Sequence, residues 1–301
     1  MLLFDLYGAH SAIIVTGPTN VLQQQSPLAE KIREERVDTA KQEITPTRIF
    51  TMEWYPLVLA QRKGPRDEFL RGLWDHMSLL PNHHYLHHLQ NAHLTGTMVI
   101  DEYYFCLAWA ELPNTNDISP LMAFLDVQDL IFPRIMSIPE RGEEPMIKLD
   151  RNNVRLLAAA EKDATDILDT HGIPTDVAVW QITLPTSRLK IFHNCPVLDD
   201  PMFSTIDLVR SGRLDDRHEN EYAKMTKYAH NRLEFETRLT QPGDIVLAEQ
   251  YFPGWKAYVY RLDDSKSTLA QPLEIRQTLG FLRRVTLDAG TYRVVMEYRP
   301  R

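Results

Sequence analysis

From residue 229 onward the chain alternates. In RLEFETRL (232–239), Leu233, Phe235, Thr237 and Leu239 alternate with Glu234, Glu236 and Arg238. In TYRVVMEYR (291–299), Tyr292, Val294, Met296 and Tyr298 alternate with Arg293, Val295, Glu297 and Arg299. Successive side chains of a strand point to opposite faces, so each run predicts a strand with one buried face. VAVWQITL (177–184), RLKIFHN (188–194) and FSTIDLV (203–209) also read as strands, and DIVLAEQY (244–251) is at first apolar on both faces, which suits a central strand. Short strands separated by Gly or Pro turns suggest an antiparallel sandwich.

The first half reads differently. Ser26-Pro27 opens a helix over 27–36, with serine as N-cap and proline at the first helical position. RIFTM (48–52) predicts a short strand. In PRDEFLRGLWDHMSLL (65–80), Phe69, Leu70, Leu73, Trp74 and Met77 recur at helical spacing, and a second helical run covers 98–111. LMAFLDVQDLIFP (121–133) predicts a helix leading into a buried strand. DRNNVRLLAAAEKDATDILDTHG (150–172) is the strongest helical pattern of the chain, closed by Gly172 with Pro174 beyond. The expected class is α+β: a mixed α/β domain over 1–175, then a jelly-roll-like antiparallel β-sandwich over 176–301.

Composition narrows the classes. A chain of 301 residues that is 44% hydrophobic can bury a core without metal or disulfide staples. Cys106 and Cys195, the two cysteines, fit neither a CxxC site nor a disulfide framework and read as isolated thiols. The net charge of −8, with acids scattered along the chain, argues against a nucleic-acid partner, which would require a basic stripe. No apolar run reaches about 18 residues, so no membrane span is expected, and MLLFDLYGAHSAIIVTG lacks the basic start of a signal peptide.

Chemistry is sparse. PNHHYLHHLQNAH (81–93) carries His83/His87 and His84/His88 as two i,i+4 pairs, the spacing by which one helix offers two imidazoles to zinc. No HExxH glutamate accompanies them, and solvated or backbone-bonded histidines are the plainer reading. GxSxG, GxGxxG and GxxxxGK[ST] do not occur, so no nucleophile elbow or phosphate loop is expected and no cofactor is implied. Asp199-Asp200, Asp215-Asp216 and Glu143-Glu144 read as loop charges. EQYFPGWKAYVY (249–260) leaves two options for Trp255. It shares a strand face with Ala257 and Val259, which favours packing inward; alternatively its ring is a stacking platform for a sugar. On the second option Tyr251, Trp255 and Tyr258, with Arg283, are the candidate carbohydrate-binding residues.

DIVLAEQYFPGWKAYV (244–259) and GFLRRVTLDAGTYRVVMEYRP (280–300) resemble the end of the extracytoplasmic region of YfhO-type bacterial membrane proteins. Glu249, Tyr251, Pro253, Gly254, Trp255, Lys256, Ala257, Arg283, Gly290, Tyr298 and Pro300 carry the likeness, with weaker matches at LLFDLYGAH, LLPNHHY, LMAFLDVQDLIFP and KIFHNCPVLDDPMF. That family is grouped with GT-C-type glycosyltransferases, which take sugar from a polyprenyl-phosphate donor. Their catalytic carboxylates lie in loops between early membrane helices, which this chain does not include. The resemblance therefore implies a non-catalytic domain at the extracytoplasmic face of the cell membrane. Its partners would be the membrane-embedded portion of the same protein and a glycan or lipid-linked sugar, and it would cover the active site or bind acceptor glycan. Two other readings stand beside this one: a free-standing carbohydrate-binding β-sandwich, and a metal-dependent enzyme using His83, His84, His87 and His88.

Overall fold

The computed structural model describes residues 25–35, 45–51, 89–92, 117–138, 147–161, 169, 174, 176–195, 204–263 and 270–299. Strands dominate, arranged in three sheets with few helices. No described helix is long and apolar enough to cross a membrane. The helical readings over 65–80 and 98–111, and the histidine run at 83–88, lie outside the described residues.

The first sheet has the order β2 (Gln90–Asn91), β1 (Arg48–Thr51), β3 (Asp129–Pro133), β5 (Val177–Ile182), β4 (Val154–Ala159). β1 runs parallel to β2 and β3, while β5 is antiparallel to β3 and β4. Its central strands are apolar on both faces because both faces are covered. Helix α1 (Pro27–Glu34) buries Leu28, Ala29 and Ile32 against Ile49, Ile131, Val177 and Val179. Helix α2 (Ser119–Phe124) packs the other face, against Phe50, Leu130, Phe132 and Trp180. The start of α1 follows the sequence: the Ser26 side chain accepts a hydrogen bond from Ala29 N at 3.4 Å, and Pro27 follows it. A one-turn helix, α3 (Arg134–Ser137), follows β3.

A four-stranded sheet, β12 (Arg276–Thr278), β13 (Leu282–Leu287), β9 (Gly243–Gln250) and β6 (Leu189–Phe192), forms the next layer. Its strands send Phe192, Val246 and Leu282 into the core shared with the first sheet, and Leu189, Ile191, Ile245, Leu247 and Val285 into a second core. Two-sided burial is why DIVLAEQY carries no polar alternation. The third layer is β11 (Gln271–Leu273), β10 (Trp255–Arg261), β14 (Gly290–Tyr298), β8 (Arg232–Leu239), β7 (Tyr222–Ala229). It closes the second core with Met225, Leu233, Phe235, Leu239, Ala257, Tyr292, Val294 and Met296. The period-two reading of β8 and β14 thus names the inward side chains.

Three segments differ from expectation. Residues 154–159, inside the strongest helical pattern, form strand β4, bulged between Leu156 and Ala158 against β5. The alanine- and leucine-rich run has high helix propensity, but pairing to the edge of a half-built sheet outweighs it. FSTIDLV is not a strand: Ser204–Arg210 is helix α4, which buries Thr205, Ile206 and Leu208 while Asp207 faces out. The Thr205 hydroxyl donates to Leu279 O at 2.6 Å, fixing the helix on the turn before β13. VAVWQI is a strand as read, but it belongs to the first sheet rather than to the layers that follow. Cys195 is buried and free, as expected; Cys106 lies outside the described residues.

Phe235 is fully buried at the centre of the second core. Phe235→Ala is expected to cost about 3–5 kcal/mol by urea unfolding, while Glu236→Ala on the same strand stays within about 0.5 kcal/mol.

Candidate functional site

Glu249 sits near the end of β9, just after the apolar run Ile245–Ala248, and a mostly buried carboxylate there must be paired. The pairing is made by a register break. Leu282 of β13 partners Gln250, and Arg283 partners Leu247, so Ala248 and Glu249 have no partner across the ladder. Such a bulge re-aims side chains and frees backbone groups. Ala248 O accepts from Arg48 Nη1 at 2.7 Å, and Arg48 Nη1 also donates to Leu125 O at 2.7 Å.

Glu249 Oε1 accepts from Arg48 Nη2 at 2.8 Å, Arg188 Nη1 at 2.6 Å and the Tyr228 hydroxyl at 3.0 Å. Its Oε2 lies 3.5 Å from Arg283 Nη2. Arg188 is held further by Asp126 Oδ2 at 2.6 Å and Gln90 Oε1 at 2.8 Å, and its guanidinium lies 5.2 Å above the Tyr228 ring. Desolvation would raise the Glu249 carboxyl, but Arg48, Arg188 and Arg283 together outweigh it and hold it down at about 2. Burial pushes the Tyr228 hydroxyl up, with Glu249 adding to it. Lys190, buried on β6, is lowered to about 8 by desolvation, against the pull of Asp126 and Asp215.

Beside this cluster opens a cleft of ≈ 380 Å³. Arg48, Glu249, Gln250 and Arg283 line its charged side; Trp255, Tyr298, Phe252 and His230 contribute rings. Trp255 and Tyr298 are register partners on β10 and β14 with ring centroids 5.5 Å apart. The Arg283 guanidinium lies 4.2 Å from the centroid of a Trp255 ring, a cation–π contact. Trp255 packs half-buried against the second core with Ala257 and Val259, on the inward side of the two options, and it also walls the cleft.

Of the four carbohydrate candidates, the structure brings Trp255 and Arg283 together. Tyr258 alternates to the opposite face of β10 from Trp255, and neither it nor Tyr251 lines the cleft. Sequence reasoning missed Arg48, Arg188, Gln250 and Tyr228. Its available signal was a charge at the head of two apolar strands, Arg48 before Ile-Phe and Arg188 before Leu-Lys-Ile-Phe, opposite in sign to Glu249 in β9.

A second cluster joins His193, His218 and Glu221, whose ligand atoms lie within 4.8 Å of one another. His193 Nδ1 faces Pro242 O at 3.2 Å, and Nε2 faces Glu221 Oε2 at 2.8 Å. Both oxygens only accept, so the geometry favours the imidazolium, in which each ring nitrogen donates. Glu221 also accepts from His218 N at 2.9 Å and from Thr240 N and Oγ1, each at 2.7 Å. Desolvation works against its charge, yet these donors hold it down at about 2. Desolvation likewise opposes the His193 cation, but the Pro242 carbonyl and Glu221 carry it above its ordinary value. Asp215 and Asp216 serve loops, as read: Asp215 Oδ1 accepts from Ile191 N at 3.1 Å, and Asp216 pairs with Arg213.

No family model, curated protein or solved structure matches the chain.

Glu249→Gln leaves buried arginines without their counter-charge and is expected to cost about 3–5 kcal/mol by denaturant unfolding. Glu249 has a lower value folded than unfolded, so its contribution is complete above pH 4.5 and drains away as pH falls toward about 2. The acid limb of a stability–pH curve should therefore be shallower in Glu249→Gln, with Glu221 supplying what remains. His193 behaves in the opposite sense: its value is raised, so its contribution is full below pH 6.5 and lost as pH rises through the folded value. Urea unfolding at pH 6 and pH 8 should show a drop in the parent that is absent in His193→Gln.

Proposed function

We propose that this chain is the extracytoplasmic portion of a YfhO-type, glycosyltransferase-like membrane protein: an α/β unit followed by a jelly-roll-like sandwich that binds a glycan in the Trp255 cleft. One observation carries the reading. Glu249 and Trp255 from one of the stretches on which the family resemblance rests, and Arg283 and Tyr298 from the other, line one cleft.

The cleft's chemistry suits a sugar. An indole beside a phenol offers an apolar face for the C–H surface of a pyranose while polar edges stay wet. Gln250, only 8% exposed, has both amide atoms without a partner among the described residues, so it can donate to one hydroxyl and accept from another. A volume of ≈ 380 Å³ accommodates one or two rings. Reaction chemistry would belong to the membrane-embedded portion of the parent protein, with this domain holding acceptor glycan over it.

Two experiments test this. The coding sequence upstream of Met1 should specify apolar spans; an unrelated gene there would count against the membrane parent and leave a free-standing module. On a glycan array, Trp255→Ala should abolish binding while its melting temperature stays within a few degrees of the parent's. Absence of glycan binding by the parent, or binding that survives Trp255→Ala, would remove the glycan reading.

A further inference from the structure

The cleft selects for charge as well as shape. Arg283 is 4% exposed, and its neighbours account for only part of its guanidinium. Trp255 covers a face, and Glu249 Oε2 stands 3.5 Å from Nη2. The Nε–H and both Nη1–H groups have no acceptor among the described residues. Arg48, otherwise saturated, likewise has an unpartnered Nε–H. Gln250, the third of these cleft-lining residues, contributes its unpartnered amide.

Among the described residues, the charges around the cleft do not cancel. Arg48, Arg188 and Arg283 face Glu249 and Asp126, three cations against two anions, and Lys190 lies behind them. This is a positive island in a chain of net charge −8. A neutral sugar would leave the surplus cation and its N–H groups unanswered. A dianion would over-compensate it and meet Glu249 at close range. One carboxylate matches the excess.

We propose that the glycan bound in this cleft carries a uronic acid, its carboxylate accepting hydrogen bonds from Arg283 while the sugar ring lies against Trp255 and Tyr298. The inference rests on the glycan reading above and adds the ligand's charge to it. Gln250 then takes a ring hydroxyl, and Arg48 Nε–H a second oxygen. Glu249 is the positioning residue, holding Arg48 and Arg188 and standing at one corner of Arg283.

The test uses the full chain on an array of neutral, uronate-bearing and phosphorylated glycans matched in linkage, with hits titrated calorimetrically. Uronate-bearing glycans should bind on the order of tenfold or more tighter than their neutral counterparts, as expected for a charge-assisted hydrogen bond. Arg283→Lys keeps a cation opposite Glu249, and with it the fold, but removes the Nε–H and the planar guanidinium. It should erase the uronate preference, lowering the affinity for uronate-bearing glycans far more than that for neutral ones. A merely structural Arg283 would instead lower both affinities together. Equal binding of neutral and uronate glycans overturns the inference while the glycan reading stands. Tighter binding of phosphorylated glycans, or a uronate preference that survives Arg283→Lys, overturns it as well. Failure of every glycan class to bind removes the glycan reading and this inference together.

Discussion

A single carboxylate holds the three sheets in register. Glu249 belongs to the middle layer, Arg48 reaches it from the first sheet, and Tyr228 reaches it from the third. Arg188 and Arg283, both from segments of the middle layer, complete its shell. Buried ion pairs are often poor bargains in free energy, because desolvation consumes most of the Coulombic gain. What this one supplies is position: apolar faces can slide over one another, whereas an oxygen shared by two arginines and a phenol cannot.

The cleft opens beside this cluster. Arg48 and Arg283 line it together with Glu249 and Gln250, and Trp255, Phe252 and Tyr298 wall it as well. The bulge at Ala248-Glu249 contributes twice, by turning the carboxylate toward the arginines and by releasing the Ala248 carbonyl to Arg48.

Much of the local architecture was legible in the sequence. Period two gave the buried side chains of β8 and β14 because one face of each meets a core and the other does not. Ser26-Pro27 placed the start of α1 through a capping bond that needs no tertiary partner. Val154–Ala159 and Ser204–Arg210 were misread because their fate is settled elsewhere: β4 follows the free edge of β5, and α4 follows the Leu279 carbonyl and the apolar space under the middle sheet. Trp255 and Arg283 could be named from the likeness to a family pattern. Arg48, Arg188 and Gln250 could not, because Arg48 reaches the end of β9 and Arg188 only once the first and middle sheets have stacked, and no local periodicity encodes that meeting. Each did leave a trace, a polar group where an apolar strand should have none.

The middle sheet, apolar on both sides, has a further consequence. Cut away from the first sheet, the segment from β6 onward would show Phe192, Val246, Phe281 and Leu282 to water, a greasy surface that invites self-association. The stretch that bears the cleft is therefore not a portable cassette, and recombination that moved it without its first hundred and eighty residues would deliver an aggregating fragment.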